Sequence, residues 1–384
     1  MAKSAFYKVW NDKKVDITDM VTDLTVEESE TESDMIKFKI NDTRIQVMDA
    51  DWLADGKKIY VLFGFIGGEI STKRTGKIHS VDYTYGAANS ITVEALDMGN
   101  LYQTSNKVYK QKTITQTVQE IAKAAGLKFI GDPTTKKFSL LAQGNKTYMQ
   151  FLQELAGLAG SEEKEGSYFC SVSGETIFFK KRNLAKKPVL KINRNDKISF
   201  TVDQNSSKTM ESMSTSFIDP ETNKVIKVDS NAATDQETAL GNYLYNSNGD
   251  VLDKKSDSGR NVVLPYDSKE DAKKQLDAHV KDSQLEGITG TLTMEGTFSV
   301  KKGDIVTLVG FARKHSGNWK VDKVSYGFSP SFKVTLTMKK NASDVKGASV
   351  NSAAKDKNSK IGEDKGQEKT EVTTVKYNAN GVKQ

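Results

Sequence analysis

The sequence predicts an α+β chain that is mainly β, with one β-unit present twice, near residues 55–98 and again near 301–340. Three observations carry this. Short apolar or alternating runs split by turn residues fill the first hundred positions and return after residue 285. Two helical segments with their own capping signals lie together between these β-rich regions. Residues 341–384 are rich in Lys, Glu, Ser and Asn and hold too little apolar material to offset the entropy of ordering, so they predict a flexible C-terminal tail.

Along the chain, Met35-Ile36-Lys37-Phe38-Lys39-Ile40 alternates, placing Ile36, Phe38 and Ile40 on one face of a strand. Ile59-Tyr60-Val61-Leu62-Phe63 is a more continuous apolar run, as in a strand covered on both faces. Lys77 to Tyr85 and Ser90 to Leu96 read as two strands turning at Gly86-Ala87-Ala88-Asn89. Several short strands of this kind suggest a small barrel or a sandwich. Thr113-Ile114-Thr115-Gln116 then fits a capping box, followed by Ile114, Val118, Ile121 and Ala125 at helical spacing and by Gly126 as a stop. The same grammar recurs from Thr147 to Gln150, with Tyr148, Phe151, Leu152 and Leu155 as the apolar face and Gly160 at the end. Ser167 to Val172 and Thr176 to Lys180 form a strand pair turning at Ser173-Gly174-Glu175, so residues 103–186 read as an inserted α+β module. From Val189 the chain is β-like again. Residues 219–262 have loop-like polar composition. One helix is expected near 268–284, starting at Ser268, with Ala272, Leu276 and Val280 on one face, before strands return from Ile288 to Met338. In the tail, Val372 to Tyr377 is the one β-favourable run.

The net charge is +6, but Lys and acidic residues are interleaved and Arg is scarce, which predicts a solvated mixed-charge surface and no specific nucleic-acid binding. No stretch approaches the roughly 18 consecutive apolar residues of a membrane span, so no membrane insertion is expected. Met1 to Trp10 lacks the pattern of a secretory signal, which implies folding in the cytoplasm that makes the chain. Cys170, the single cysteine, lies in an apolar run and is read as a buried strand residue.

The repeat rests on order. Ile59 to Phe65 matches Ile305 to Phe311, Lys77 to Tyr83 matches Lys320 to Tyr326, and Ile91 to Ala95 matches Phe332 to Leu336. The three matches are collinear, and the spacing between copies drifts by only a few residues.

The same stretches carry a family resemblance. Gly56 to Gly64 is followed by Thr75-Gly76-Lys77-Ile78. Ile91 to Asp97 leads to the helix opening at Thr113-Ile114. Phe151 to Ala156 is followed by Thr176-Ile177-Phe178-Phe179. Lys302-Gly303-Asp304-Ile305-Val306 leads to Gly317-Asn318-Trp319-Lys320-Val321 and Phe332 to Leu336. Over roughly residues 5–340 the chain thereby resembles the baseplate hub proteins of contractile phage tails and tail-like particles, the late-control protein D family. Tyr326 stands where such proteins often have His.

The resemblance implies two similar small β-barrels. Residues 1–102 form the first barrel domain, 103–186 the inserted module, 187–218 with 285–340 the second barrel domain, 219–284 a polar insertion with one helix, and 341–384 the flexible tail. It further implies a homotrimeric ring adapting a sixfold tail tube to a threefold spike. Its partners would be itself, a tail tube or tube-initiator protein, a spike protein and other baseplate proteins. Made in the bacterial cytoplasm, it would be assembled into the baseplate of a virion tail or a tail-like bacteriocin.

Catalytic chemistry leaves no recognisable pattern. His79, His279 and His315 are far apart and outside any metal-spaced motif, so each is read as structural or surface. Gly64-Phe65-Ile66-Gly67-Gly68 lacks the Lys and the following helix of a phosphate loop and reads as a turn or barrel corner. Glu162, Glu163 and Glu165 read as a solvated loop. No catalytic, cofactor-binding or metal-binding residue is assigned, no cofactor is expected, and the chain is expected not to be an enzyme. Two other classes remain open. A tail-associated cell-wall hydrolase would need only two carboxylates about 5–10 Å apart. A wall-binding module would need exposed aromatic platforms, whereas Trp10, Trp52 and Trp319 are dispersed.

Overall fold

The structure is a computed structural model. It describes residues 4–343 apart from 72, 87, 98–100, 161–167, 183–185, 205–211, 219–223, 232–242, 245–258, 262–268, 271, 274, 275, 278, 279, 281–284, 286, 313 and 330. The flexible tail expected at 341–384, apart from residues 341–343, and the solvated loop of Glu162, Glu163 and Glu165 with His279 lie outside the described residues.

The first six strands are β1 (Ala5–Asn11), β2 (Val21–Ser29), β3 (Met35–Asn41), β4 (Lys58–Phe65), β5 (Arg74–Thr84) and β6 (Ser90–Leu96). They pair in the spatial order β1-β4-β5-β6-β3-β2. Ile36, Phe38 and Ile40 of β3 are all buried, the face expected from their alternation. The Gly-rich stretch after β4 is a turn: Phe65 N–H donates to Glu69 O at 2.8 Å, and Gly67 adopts a positive φ of 69°. Gly64 is fixed there by space, because a Cβ would lie 2.5 Å from Glu69 O.

Next come β7 (Val108–Thr113), α1 (Ile114–Ala125), β8 (Lys128–Gly131), β9 (Lys137–Ala142), α2 (Tyr148–Gly160), β10 (Tyr168–Ser173) and β11 (Thr176–Lys181). Thr113 and Gln116 form the expected capping box at α1: Thr113 Oγ1 accepts from Gln116 N–H and Gln116 Oε1 accepts from Thr113 N–H. Gly126 ends the helix in the left-handed conformation. Thr147 and Gln150 exchange the same pair of bonds at α2. β10 and β11 meet across a two-residue turn in which Gly174 and Glu175 both have positive φ, 61° and 58°, the geometry that suits the twist of a tight hairpin. The two helices and these strands enclose a core of their own, drawn from Leu101 to Phe179.

The remaining strands are β12 (Leu190–Asn193), β13 (Ile198–Gln204), β14 (Ser212–Ile218), β15 (Val225–Asn231), β16 (Tyr243–Leu244), β17 (Gly259–Asn261), β18 (Ile288–Glu295), β19 (Ile305–Val309), β20 (Gly317–Gly327), β21 (Lys333–Lys340) and β22 (Ala342–Ser343), the last pairing with β16. The polar stretch expected to be loop contains β15, which pairs with β14 along its whole length. A ladder is made by backbone groups, so polar side chains do not forbid it. β14, expected in the second barrel, instead belongs to this separate small sheet with β15 and β17. Lys269, Glu270, Ala272, Lys273, Leu276, Asp277 and Val280 are helical, and Ala272, Leu276 and Val280 are buried, as their spacing predicts.

Six of these later strands repeat the first six. They pair as β12-β19-β20-β21-β18-β13, the order of β1-β4-β5-β6-β3-β2. Details coincide as well. The ladder between β5 and β6 shifts register between Ile78 and Ser80, and that between β20 and β21 shifts between Val321 and Lys323. Gly56 N–H donates to Ile78 O and Ile78 N–H to Lys57 O; Gly303 N–H donates to Val321 O and Val321 N–H to Asp304 O. One difference is that β1 runs antiparallel to β4 while β12 runs parallel to β19.

The pairing also corrects the sequence alignment of the copies. Lys58 pairs with Lys77 as Ile305 pairs with Lys320, so Ile59 is equivalent to Val306 and not to Ile305. A slip of one residue exchanges the two faces of a strand, and only this register keeps Ile59 and Val61 on the buried face with Val306 and Leu308. Likewise Ile91, Val93 and Ala95 correspond to Val334, Leu336 and Met338, not to Phe332 to Leu336.

The strands form one continuous sheet, not two closed barrels, because β2 bonds β3 on one edge and β20 on the other. That second edge is the one through which the first array would have to close on β1. Residues of both arrays, from Val9 to Met338, form a single core cluster. Among the described residues no helix is long and apolar enough to cross a membrane.

Candidate functional site

The residues that join the parts of this chain are charged and buried. β2 and β3 are linked by the turn at residues 30–34, where Glu30 and Asp34 are nearly inaccessible. This turn touches all three regions. Glu30 N–H donates to Asp322 O of β20 at 2.9 Å, Asp34 N–H to Val172 O of β10 at 3.4 Å, and Asp97 N–H to Asp34 O at 3.0 Å. Gln153 of α2 donates its side-chain amide to Thr31 O at 2.6 Å and to Cys170 O at 3.0 Å.

Ion pairs follow the same seam. Lys320 pairs with Glu30, both side chains being almost wholly buried, and Arg182 Nε lies 3.7 Å from Glu30. Lys302 Nζ lies 2.7 Å from Asp34, Arg74 Nε donates to Glu28 at 2.8 Å, and Lys339 lies 3.2 Å from Asp322. Desolvation holds the Lys320 ammonium down to about 8, with Asp322 opposing the shift and Lys339 adding to it. At neutral pH it is still charged, as the pair with Glu30 requires. Burial raises the Asp34 carboxyl against the pull of Lys302. A buried pair of this kind stabilises little by itself but is costly to break, which specifies how the segments meet.

Asp97 is pushed up to about 6 by burial, against hydrogen bonds that favour its ionised form. Its carboxylate accepts from Gly174 and Glu175 N–H in the tight hairpin. Both oxygens are thus held by backbone donors, which fixes this hairpin against the end of β6.

The histidines are not brought together. His79 sits at the register shift of β5, exposed, its ring 5.2 Å from that of Tyr102. His315 is in the turn before β20, its basicity lowered by desolvation and by Lys314 and Lys340. No group of His, Cys, Asp and Glu able to hold a metal occurs among the described residues. Cys170 is buried in β10, and desolvation lifts its thiol to about 12. Trp319 is fully buried, Trp52 packs against the main core, and Trp10 stacks on Tyr60 at 5.9 Å across the β1–β4 ladder. Sequence reading missed the seam, since no local pattern ties Glu30 to Lys320.

The second candidate surface is the sheet edge. Tyr326 lies in the β2–β20 ladder opposite Val26, with its hydroxyl donating to Val300 O at 3.3 Å and its ring 5.2 Å from Phe63. Among the described residues β13 has one ladder, to β18, and the half of β5 from Ser80 to Thr84 has one, to β6.

Comparison with known proteins bears on the whole fold. The family described as the Alg8 N-terminal domain matches residues 14–329, a description that names no reaction. No curated protein matches the chain. Among solved structures it is similar to a 43 kDa tail protein of prophage MuSo2 from Shewanella oneidensis, with 14% identity, a TM-score of 0.65, and coverage of 88% of this chain and 98% of that one. A tail protein from Neisseria meningitidis MC58 is similar with 15% identity and a TM-score of 0.64, covering 88% and 97%. Prophage tail protein gp18 from Listeria monocytogenes EGD-e shares 13% identity at a TM-score of 0.50, covering 91% and 97%. At such identities the likeness is one of fold.

Proposed function

This chain belongs to the Alg8 N-terminal domain family, and we propose that it is a non-enzymatic structural hub of a contractile phage tail or tail-like bacteriocin. In this reading three copies form a baseplate ring that adapts a sixfold tail tube to a threefold spike. The observation that carries it is the duplication: two six-strand arrays of one topology in one chain, already joined edge to edge. Three copies then present six similar arrays, so one ring can meet sixfold and threefold neighbours on opposite faces. The fold shared with prophage tail proteins supports the same reading. The partners are further copies of the chain, a tail tube or tube-initiator protein, a spike protein and other baseplate proteins, assembled after synthesis in the bacterial cytoplasm. The division into two array domains, an inserted module and a polar insertion belongs to this proposal.

The test is electron microscopy of the parent particle with this chain located by symmetry, together with mass measurement of the purified chain with tube and spike proteins. A threefold ring between tube and spike is expected. A chain that stays monomeric with both partners present overturns the reading. Clearing of purified peptidoglycan by the chain would replace it with the tail-associated hydrolase, and retention on insoluble wall with a wall-binding module.

A further inference from the structure

Within the chain, the outer edge of β2 bonds the second half of β20. Thr25 faces Gly327, Val26 faces Tyr326 and Glu27 faces Ser325. The duplication supplies an equivalent of each partner. β13 is the counterpart of β2, because Phe200 and Val202 pair with β18 as Leu24 and Val26 pair with β3. Ser80–Thr84 of β5 is the counterpart of Lys323–Gly327 of β20, through the shared register shift. Neither counterpart has a strand on its outer edge among the described residues.

Burial marks both as incomplete. Leu24 and Val26 are each 1% exposed, whereas Phe200 and Val202 are only half-buried. Tyr326 is 3% exposed and its counterpart Tyr83 is 42% exposed. An open strand edge is a template for pairing with another chain. The strand that fits each edge is carried by this same chain, but at the opposite end of its sheet, so the occupant is a second copy.

We propose that β13 of one copy pairs antiparallel with Ser80–Thr84 of β5 in the next, repeating the internal β2–β20 joint, with Val202 opposite Tyr83 and Thr201 opposite Thr84. The contact is head to tail, and such contacts close into a ring when the rotation permits. It rests on the ring reading above and names the surface that makes the ring. Asp203 falls opposite Asp82 in this register. Both are exposed, so their repulsion is screened but weakens the joint.

The test is disulfide trapping in the full chain. Thr84→Cys with Thr201→Cys places two thiols directly opposite each other, within bridging distance. Ser80→Cys with Thr201→Cys places them about 13 Å further along the strand, out of reach. Buried Cys170 serves as an unreactive background. Mild oxidation should give covalent trimers from the first pair and at least roughly tenfold less from the second. As a second measurement, Asp82→Lys should tighten self-association by up to about fivefold per joint. A trimer that forms without cross-linking at Thr84 and Thr201 overturns the edge pairing and leaves the ring standing. Unlimited covalent ladders would support the pairing and overturn the closed ring. A chain that remains monomeric with tube and spike proteins overturns both.

Discussion

Tyr326 and Tyr83 occupy the same position in the two strand arrays, yet Tyr326 is sealed in the joint opposite Val26 while Tyr83 is left open on the sheet edge. The difference separates a folding role from an assembly role. Tyr326→Ala should destabilise the monomer by about 3–5 kcal/mol, as for other large aromatics removed from a core. Tyr83→Ala should leave the monomer within about 0.5 kcal/mol of wild type while weakening self-association. Urea denaturation of dilute protein, beside sedimentation at high concentration, reads the two effects apart. Equal loss of monomer stability in both variants would contradict the assignment.

The Glu30–Lys320 pair links the turn after β2 to β20 with neither side chain exposed to water. Glu30→Gln leaves a buried ammonium without its counter-charge and should cost about 3–5 kcal/mol. Replacing both residues together, Glu30→Leu with Lys320→Met, should recover most of that loss. Denaturant midpoints of the single and double variants check this, and a double variant no better than Glu30→Gln would mean that the seam requires the ion pair itself and that apolar packing cannot replace it.

Asp97 makes stability depend on pH with a definite sign. Its folded pKa of about 6 lies above the ordinary carboxylate value near 3.9, so the folded state binds more protons between these values. Its contribution is therefore greatest below about pH 4, falls as pH rises through 4–6, and is constant above. The size is about 2–3 kcal/mol. Asp97→Asn should remove this component, so the wild-type-minus-variant difference in urea stability should fall by about 2–3 kcal/mol as pH rises from 4 to 6 and stay level to pH 7. A difference that grows more favourable to wild type as pH rises would reverse the sign and refute the assignment.

Thr113→Ala removes the side-chain acceptor at the start of α1 and should cost about 1 kcal/mol. Thr113→Ser keeps the acceptor and should restore most of it. Thermal melting of the two variants provides the comparison.

Cys170 should resist thiol reagents in the folded chain, since burial both excludes the reagent and disfavours the thiolate. Labelling should become fast only after unfolding in denaturant. Rapid modification of the native protein would show that this strand opens far below the global unfolding free energy.

Much of the local structure was legible. Thr113-Ile114-Thr115-Gln116 encodes its own cap, because donor and acceptor lie within four residues. Ser173-Gly174-Glu175 encodes a turn, and Ala272, Leu276 and Val280 mark one buried face through their spacing alone. β15 was not legible, since its ladder to β14 is made by backbone atoms that every residue carries. The strand alignment of the copies failed by one residue at β4 for a related reason. Similar apolar letters match in either register, while burial accepts only one. The seam had no local signal at all, because its partners are brought together only when β2 meets β20.

The sequence by itself determined that this protein is mainly β, that two helices with formed caps lie between β-rich regions, and that one β-unit occurs twice in the same order. Helical and strand periodicity, caps and turns act over a few residues, so the letters suffice. Only the tertiary structure decided that the two copies are open arrays sharing one core, that β2 gives its second edge to β20, and that β13 and the end of β5 each keep one edge without a strand among the described residues. Strand pairing is a contest among all available edges of the folded chain, and its outcome depends on the burial and charge pairing gained by the whole sheet.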